Sequence, residues 1–363
     1  MMETSRPDRP EAKRLREKIL AGSQDIQDYR ALAGILMESG EEEETLALLE
    51  KALDLPLPDV EQAALSADVA LFLYEFGRED RAITVAQAAL SQVAGRGDSA
   101  DVLMIRGLSH AVLAHSLYAS DRTSSDRQAR LALQAFEHLM SRFPDSEEFA
   151  EACRYAGWVC GLTGEHAKAV NLYKTSLQVE PAGKNKLACL VWLANALRCQ
   201  ESYTEAEERL REALRMVVAD KRMLPRIYFE LGKIQRLTDR PEEALITFEQ
   251  VLAKLEQNPS LRSDRDFISE IKWELGYLYS GAKRYGEAIL NFREVLGRLP
   301  DQGYPYCNVL VSLGTCYLAV GQYAGARDCY REVLACERAS QEERHVAEEG
   351  LSRLPPVSGP RTH

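Results

Sequence analysis

Between Tyr228 and Val251 apolar side chains recur every three or four residues, the spacing that gathers them on one side of a helix. Tyr228, Leu231, Gly232 and Gln235 follow the i, i+3, i+4, i+7 rule, and Ala244, Phe248 and Val251 form a second stripe. Thr238, Asp239, Arg240 and Pro241 interrupt the pattern, with Pro241 suited to the first turn of a new helix. The stretch predicts a helical hairpin with its apolar faces turned inward. Gly232 is expected to let another backbone come close. One such hairpin cannot bury its own surface, so it needs neighbours of the same pattern.

The neighbours are there. Downstream, Leu275, Gly276 and Tyr279 precede Tyr285, Ala288 and Phe292, and then Leu313, Gly314 and Tyr317 precede Gly321, Tyr323, Ala326 and Tyr330. Upstream, Leu193, Ala194 and Leu197 precede Tyr203, Ala206 and Leu210, and Ala156, Gly157 and Cys160 precede Gly164, Ala169, Tyr173 and Pro181. Two earlier hairpins read from Tyr29, Leu32, Ala33 and Leu36 to Leu49 and Ala52, across a turn at Gly40, and from Val69, Ala70 and Leu73 to Ala82, Ala86 and Ala89. Between these groups Leu103, Gly107 and His110 open a hairpin whose second stripe, Ala132 and Phe136, arrives thirteen residues late. The extra residues, Ser116 to Gln128, are expected to extend the first helix and then form a mobile surface loop.

This recurring order of aromatic, Leu-Gly, Tyr, Ala, Phe, Ala and Pro resembles the tetratricopeptide repeat. The resemblance implies an all-α, superhelical solenoid of about eight hairpins with a C-terminal capping helix, together with a protein-binding role. It brings no partner with it, because a fold hosts many functions. Residues 1–10 read as a disordered lead, 11–354 as the solenoid, and 355–363 as a disordered tail. A bend is expected at 257–266, around Asn258, Pro259 and Ser260. Ser340 to Leu354 supply an amphipathic closing helix.

Charge narrows the partners. A net charge of −11 and a pI of about 5.3 disfavour nucleic acid or an anionic membrane held by bulk attraction. The first residues contain no apolar run long enough for a signal peptide or a span, so a cytoplasmic protein is expected. All eight cysteines lie from Cys153 onward without a C-x-x-C pair, and read as unpaired structural thiols. The histidines are scattered, and the five-residue separation of His110 and His115 does not align two ligands on one helical face. Gly161 to Gly164 form a hairpin turn rather than a phosphate loop. No catalytic, cofactor-binding or metal-binding residue is therefore assigned, and a binding scaffold is favoured over an enzyme.

In proteins of the resembled family a second stripe on each first helix lines a concave groove. Here that stripe offers Arg154 and Trp158, then Asn195 and Arg198, then Arg226, Phe229, Lys233 and Arg236, then Trp273 and Tyr277. Five cations flanked by aromatic rings, in an acidic chain, predict an acidic extended or helical peptide as the ligand. Some members hold a terminal carboxylate with a five-residue clamp; Arg154, Asn195 and Arg226 resemble three of its places. Trp158 and Glu230 occupy the other two, and Glu230 would repel an anion. The alternative is a structural spacer that joins partners through its convex face or its ends; the oligomeric state is left open.

Overall fold

The computed structural model describes residues 10–39, 41–180, 185–216, 223–257, 265–299 and 306–355. Among these residues there are eighteen α-helices and no strand, and no helix is long and apolar enough to cross a membrane. After α1 (Pro10–Leu20) the helices pair as hairpins: α2 (Ile26–Ser39) with α3 (Glu42–Leu53), α4 (Asp59–Glu75) with α5 (Glu79–Gln92), and α6 (Ala100–Leu117) with α7 (Arg122–Arg142). Then come α8 (Phe149–Thr163) with α9 (His166–Val179), α10 (Lys186–Cys199) with α11 (Tyr203–Met216), and α12 (Met223–Leu237) with α13 (Pro241–Gln257). The last are α14 (Arg265–Gly281) with α15 (Tyr285–Leu296) and α16 (Tyr306–Ala319) with α17 (Tyr323–Ala335), closed by α18 (Gln341–Ser352). The expected lead apart from Pro10, which opens α1, the expected tail apart from Pro355, the turn at Gly40, Pro181, and most of the expected bend lie outside the described residues. The chain divides into two compact units, Met1–Glu230 and Leu231–His363.

Within the first unit, α6 packs against α4 and α5, and α8 against α6 and α7; within the second, α16 packs against α14 and α15, and α18 against α16 and α17. In α6, α8 and α16 the first helix of a hairpin thus rests on both helices of the hairpin before it. The fold is the all-α repeat architecture that the apolar stripes require, because every stripe is covered by its neighbours.

The small residue in the middle of each first helix is explained by a ring rather than a backbone. A Cβ on Gly232 would lie 2.7 Å from the Phe248 ring, one on Gly157 2.9 Å from Tyr173, and one on Gly314 2.8 Å from Tyr330. Gly107 faces Phe136 and Gly276 faces Phe292 in the same way. Where the second helix carries a smaller side chain in that register, the first carries alanine: Ala33 with Leu49, Ala70 with Ala86, Ala194 with Leu210, all buried.

The hairpin turns share one backbone solution. Gly77, Gly164 and Gly321 have φ of 66°, 80° and 75°, and in the same register Glu201, Asp239 and Lys283 have φ of 60°, 58° and 59°. The residue after each returns its N–H to a carbonyl five back, as in Glu165 to Cys160 at 2.8 Å and Arg240 to Gln235 at 2.9 Å. That left-handed stop satisfies the orphan carbonyls at the end of the first helix.

The expected mobile loop at Ser116 to Gln128 is instead built into two long helices. Helix α6 continues to Leu117 and α7 starts at Arg122, which leaves a link of 118–121. Asp121 caps α7 by accepting from Ser124 N at 3.0 Å, and Arg122 pairs with Asp126 at 3.1 Å. The Ser125 hydroxyl, buried, donates to the Ala114 carbonyl at 2.7 Å. Serines and aspartates that read as loop formers thus serve as a cap and an interhelical tie.

Candidate functional site

On the first unit, the anticipated stripe is engaged with its own chain. The Arg154 guanidinium lies 3.9 Å above the Tyr155 ring, and its Nη2 donates to Glu151 Oε1 at 2.8 Å; only 13% of the side chain is exposed. Trp158, half-buried, stacks face to face on His115 with ring centroids 3.7 Å apart, and Tyr74 tilts against both at 5.6 and 5.7 Å. Burial holds the His115 imidazole neutral, its pKa pushed down to about 3 despite a hydrogen bond to the Trp158 main chain. Among the described residues its Nε2 is buried without a hydrogen-bond partner.

One hairpin further, Asn195 Nδ2 donates to Glu230 Oε1 at 3.0 Å, and Arg198 Nε donates to Glu230 Oε2 at 2.9 Å. Glu230 is 3% exposed and Arg198 14%, so the carboxylate that was expected to repel an anion occupies the arginine meant to receive one. Arg226 lies 5.4 Å above the Trp192 ring. Phe229, at 2% exposure, belongs to the interior and has no surface to present, which removes it from any contact with a ligand.

On the second unit, Arg236 Nε forms an ion pair with Glu274 Oε2 at 2.8 Å, while Lys233 is half-buried. Trp273 is half-buried, with its ring 5.8 Å from that of Tyr277. Tyr277 is 37% exposed, yet it is fixed from below. Its ring meets Phe292 edge-on at 5.6 Å, its hydroxyl donates to Asn308 Oδ1, and Ser312 Oγ donates to it at 3.4 Å.

The sequence showed Glu230 but not its pairing with Arg198, although a signal existed. Arg198 and Arg236 occupy one register position in consecutive hairpins, and Glu230 and Glu274 occupy another, so the two ion pairs repeat the same rung. Glu151 stands three residues before Arg154, a spacing that brings helical side chains together. His115 and Tyr74 were separated from Trp158 by the insertion and by whole hairpins. Only packing brings them together. Among the described residues no three His, Cys, Asp or Glu side chains converge as metal ligands.

Sequence profiles of the tetratricopeptide repeat match residues 5–97, 56–155 and 187–257, together more than half of the chain. No curated protein matches. Among solved structures the chain is similar to one in the crystal structure of the APC/C hetero-tetramer Cut9-Hcn1, with a TM-score of 0.69 and 17% identity over 95% of this chain. It spans 60% of the length of that chain. It is also similar to PilF of Pseudomonas aeruginosa, with a TM-score of 0.50 and 16% identity, covering 67% of this chain and 97% of that one. At these identities the likeness extends to the fold alone.

Proposed function

This chain belongs to the tetratricopeptide repeat family, whose repeats serve as protein-interaction scaffolds, and on that premise we propose that it receives an extended or helical segment of a partner protein on its first-helix faces. The observation that carries the reading is Tyr277, an exposed aromatic ring held rigid by Phe292 and Asn308. A ring that is already ordered loses little freedom on binding, and such anchors dominate interface energies. Trp273 extends the apolar contact. In this reading the segment is acidic, with Lys233 and Arg236 on the second unit facing its carboxylates. Arg154, Arg198 and Arg236 already meet internal carboxylates, so charge contributes less than their number suggests, and the aromatic contacts carry most of the affinity.

The test uses peptides selected from a displayed random library against the purified full chain. Selected peptides are expected to carry apolar anchors at helical or extended spacing beside Asp or Glu. Tyr277→Ala should weaken their binding about thirtyfold, the equivalent of ~2 kcal/mol, with unchanged helical content. Arg236→Glu should weaken it less, and by more at low salt than at high. Unchanged affinity in both variants would remove the face from consideration and favour the spacer reading.

A further inference from the structure

We propose that α13 and α15 carry a second docking surface, an apolar patch rimmed by carboxylates that receives a basic amphipathic helix of a partner protein. Ile246 and Leu290 stand in solvent, 53% and 61% exposed. They hold the same register position, two residues after the buried Ala244 and Ala288, on helices that both pack against α14. Each of the eight hairpins exposes this position, and the other six fill it with Ala47, Thr84, Gln134, Asn171, Glu208 and Asp328. The fold therefore makes no demand for a large apolar side chain there. One exposed leucine is ordinary, but branched aliphatics at one exposed position in two successive hairpins form a patch that burial by a partner would stabilise.

The surroundings set the sign of the partner's charge. Glu242, Glu243 and Glu249 are exposed one turn to either side of Ile246, opposite the buried stripe of Ala244, Phe248 and Val251. In all, α13 holds four glutamates against one lysine, and α15 two against one arginine. Arg240, Arg284 and Lys272 pair with Glu243, Glu287 and Glu294. Glu249 instead meets the neutral Tyr279 hydroxyl at 2.5 Å, which fixes the carboxylate at the rim without cancelling its charge. One turn before Leu290, at the place Glu242 takes on α13, Gly286 is exposed, and a Cβ there would meet nothing within 4 Å. No close approach within the chain calls for that glycine, and it leaves room beside Leu290 for a partner's side chain. A helix with apolar residues three and four apart covers the two aliphatics and sets its lysines or arginines against the rim. The acidic segment proposed for the first-helix faces would be repelled here, so the two surfaces select opposite charges.

The probe is a fluorescent peptide of leucine and lysine in an amphipathic helical pattern, titrated into the full chain and read by anisotropy beside a leucine and glutamate peptide of the same pattern. The lysine peptide should bind and the glutamate peptide should not. Replacing both aliphatics, Ile246→Ser with Leu290→Ser, should weaken the lysine peptide at least tenfold with unchanged helical content, since both side chains lie in solvent. Tyr277→Ala should leave this binding unchanged, which separates it from the reading of the first-helix faces. The proposal is overturned if the lysine peptide fails to bind, or if it binds the double variant as tightly as the wild type, which would mark attraction by net charge alone. A wild-type dimer that the double variant disperses would also overturn it, by identifying a second copy of the chain as the occupant.

Discussion

A single atom separates glycine from alanine, yet in this chain the choice follows the side chain opposite. Glycine stands against a ring in five hairpins, whereas Ala194 stands in register with Leu210. Gly232→Ala would gain about 1 kcal/mol of helix propensity but drive a methyl against the fully buried Phe248 ring. Overpacking of this kind costs about 1–3 kcal/mol, so thermal denaturation should show a net loss. Adding Phe248→Leu should recover much of it, because the pair then matches Ala194 and Leu210; two strictly additive losses would disprove the coupling. The repeating Leu-Gly was legible in the sequence as a close approach. That a ring and not a backbone fills the space was not, because the partner stands sixteen residues away across a turn whose geometry the spacing leaves open.

Elements were read most reliably where apolar periodicity was long, and least where polar residues had two uses. Ser116 to Gln128 has the composition of a loop, but its serines and aspartates cap and tie helices α6 and α7. Limited proteolysis should therefore spare this segment, and early cleavage between 116 and 128 would contradict the packed arrangement. Ser125→Ala removes the buried bond to Ala114 and should cost about 1 kcal/mol in urea denaturation. The same ambiguity affects charge. Arginines on a helix face read as a ligand surface until their carboxylates are located, and Arg198 and Arg236 find theirs on the following first helix.

For the molecule as a whole, pH should act through His115 before it acts through the carboxylates. Its pKa is about 3 when folded and near 6.5 when unfolded, so the unfolded chain binds the proton more readily. Stability is therefore full above pH 6.5 and declines as pH falls through the window toward 3, by on the order of 2 kcal/mol at pH 5. Urea denaturation at pH 7 and pH 5 should show this loss, and His115→Phe, which keeps the stack on Trp158, should flatten it. Asp28 and Asp121, lowered by their hydrogen bonds, add losses of the same sign at lower pH. Asp101 opposes them: raised by burial and by Glu148, it favours the folded chain as acid is added. The layered packing also has a mechanical consequence. Because α18, among the described residues, rests on α16 and α17, and α16 leans on the hairpin before it, tension on the C-terminal end loads one interface at a time. The second unit should pay out length in steps, as a zip does, with α18 the first to peel away.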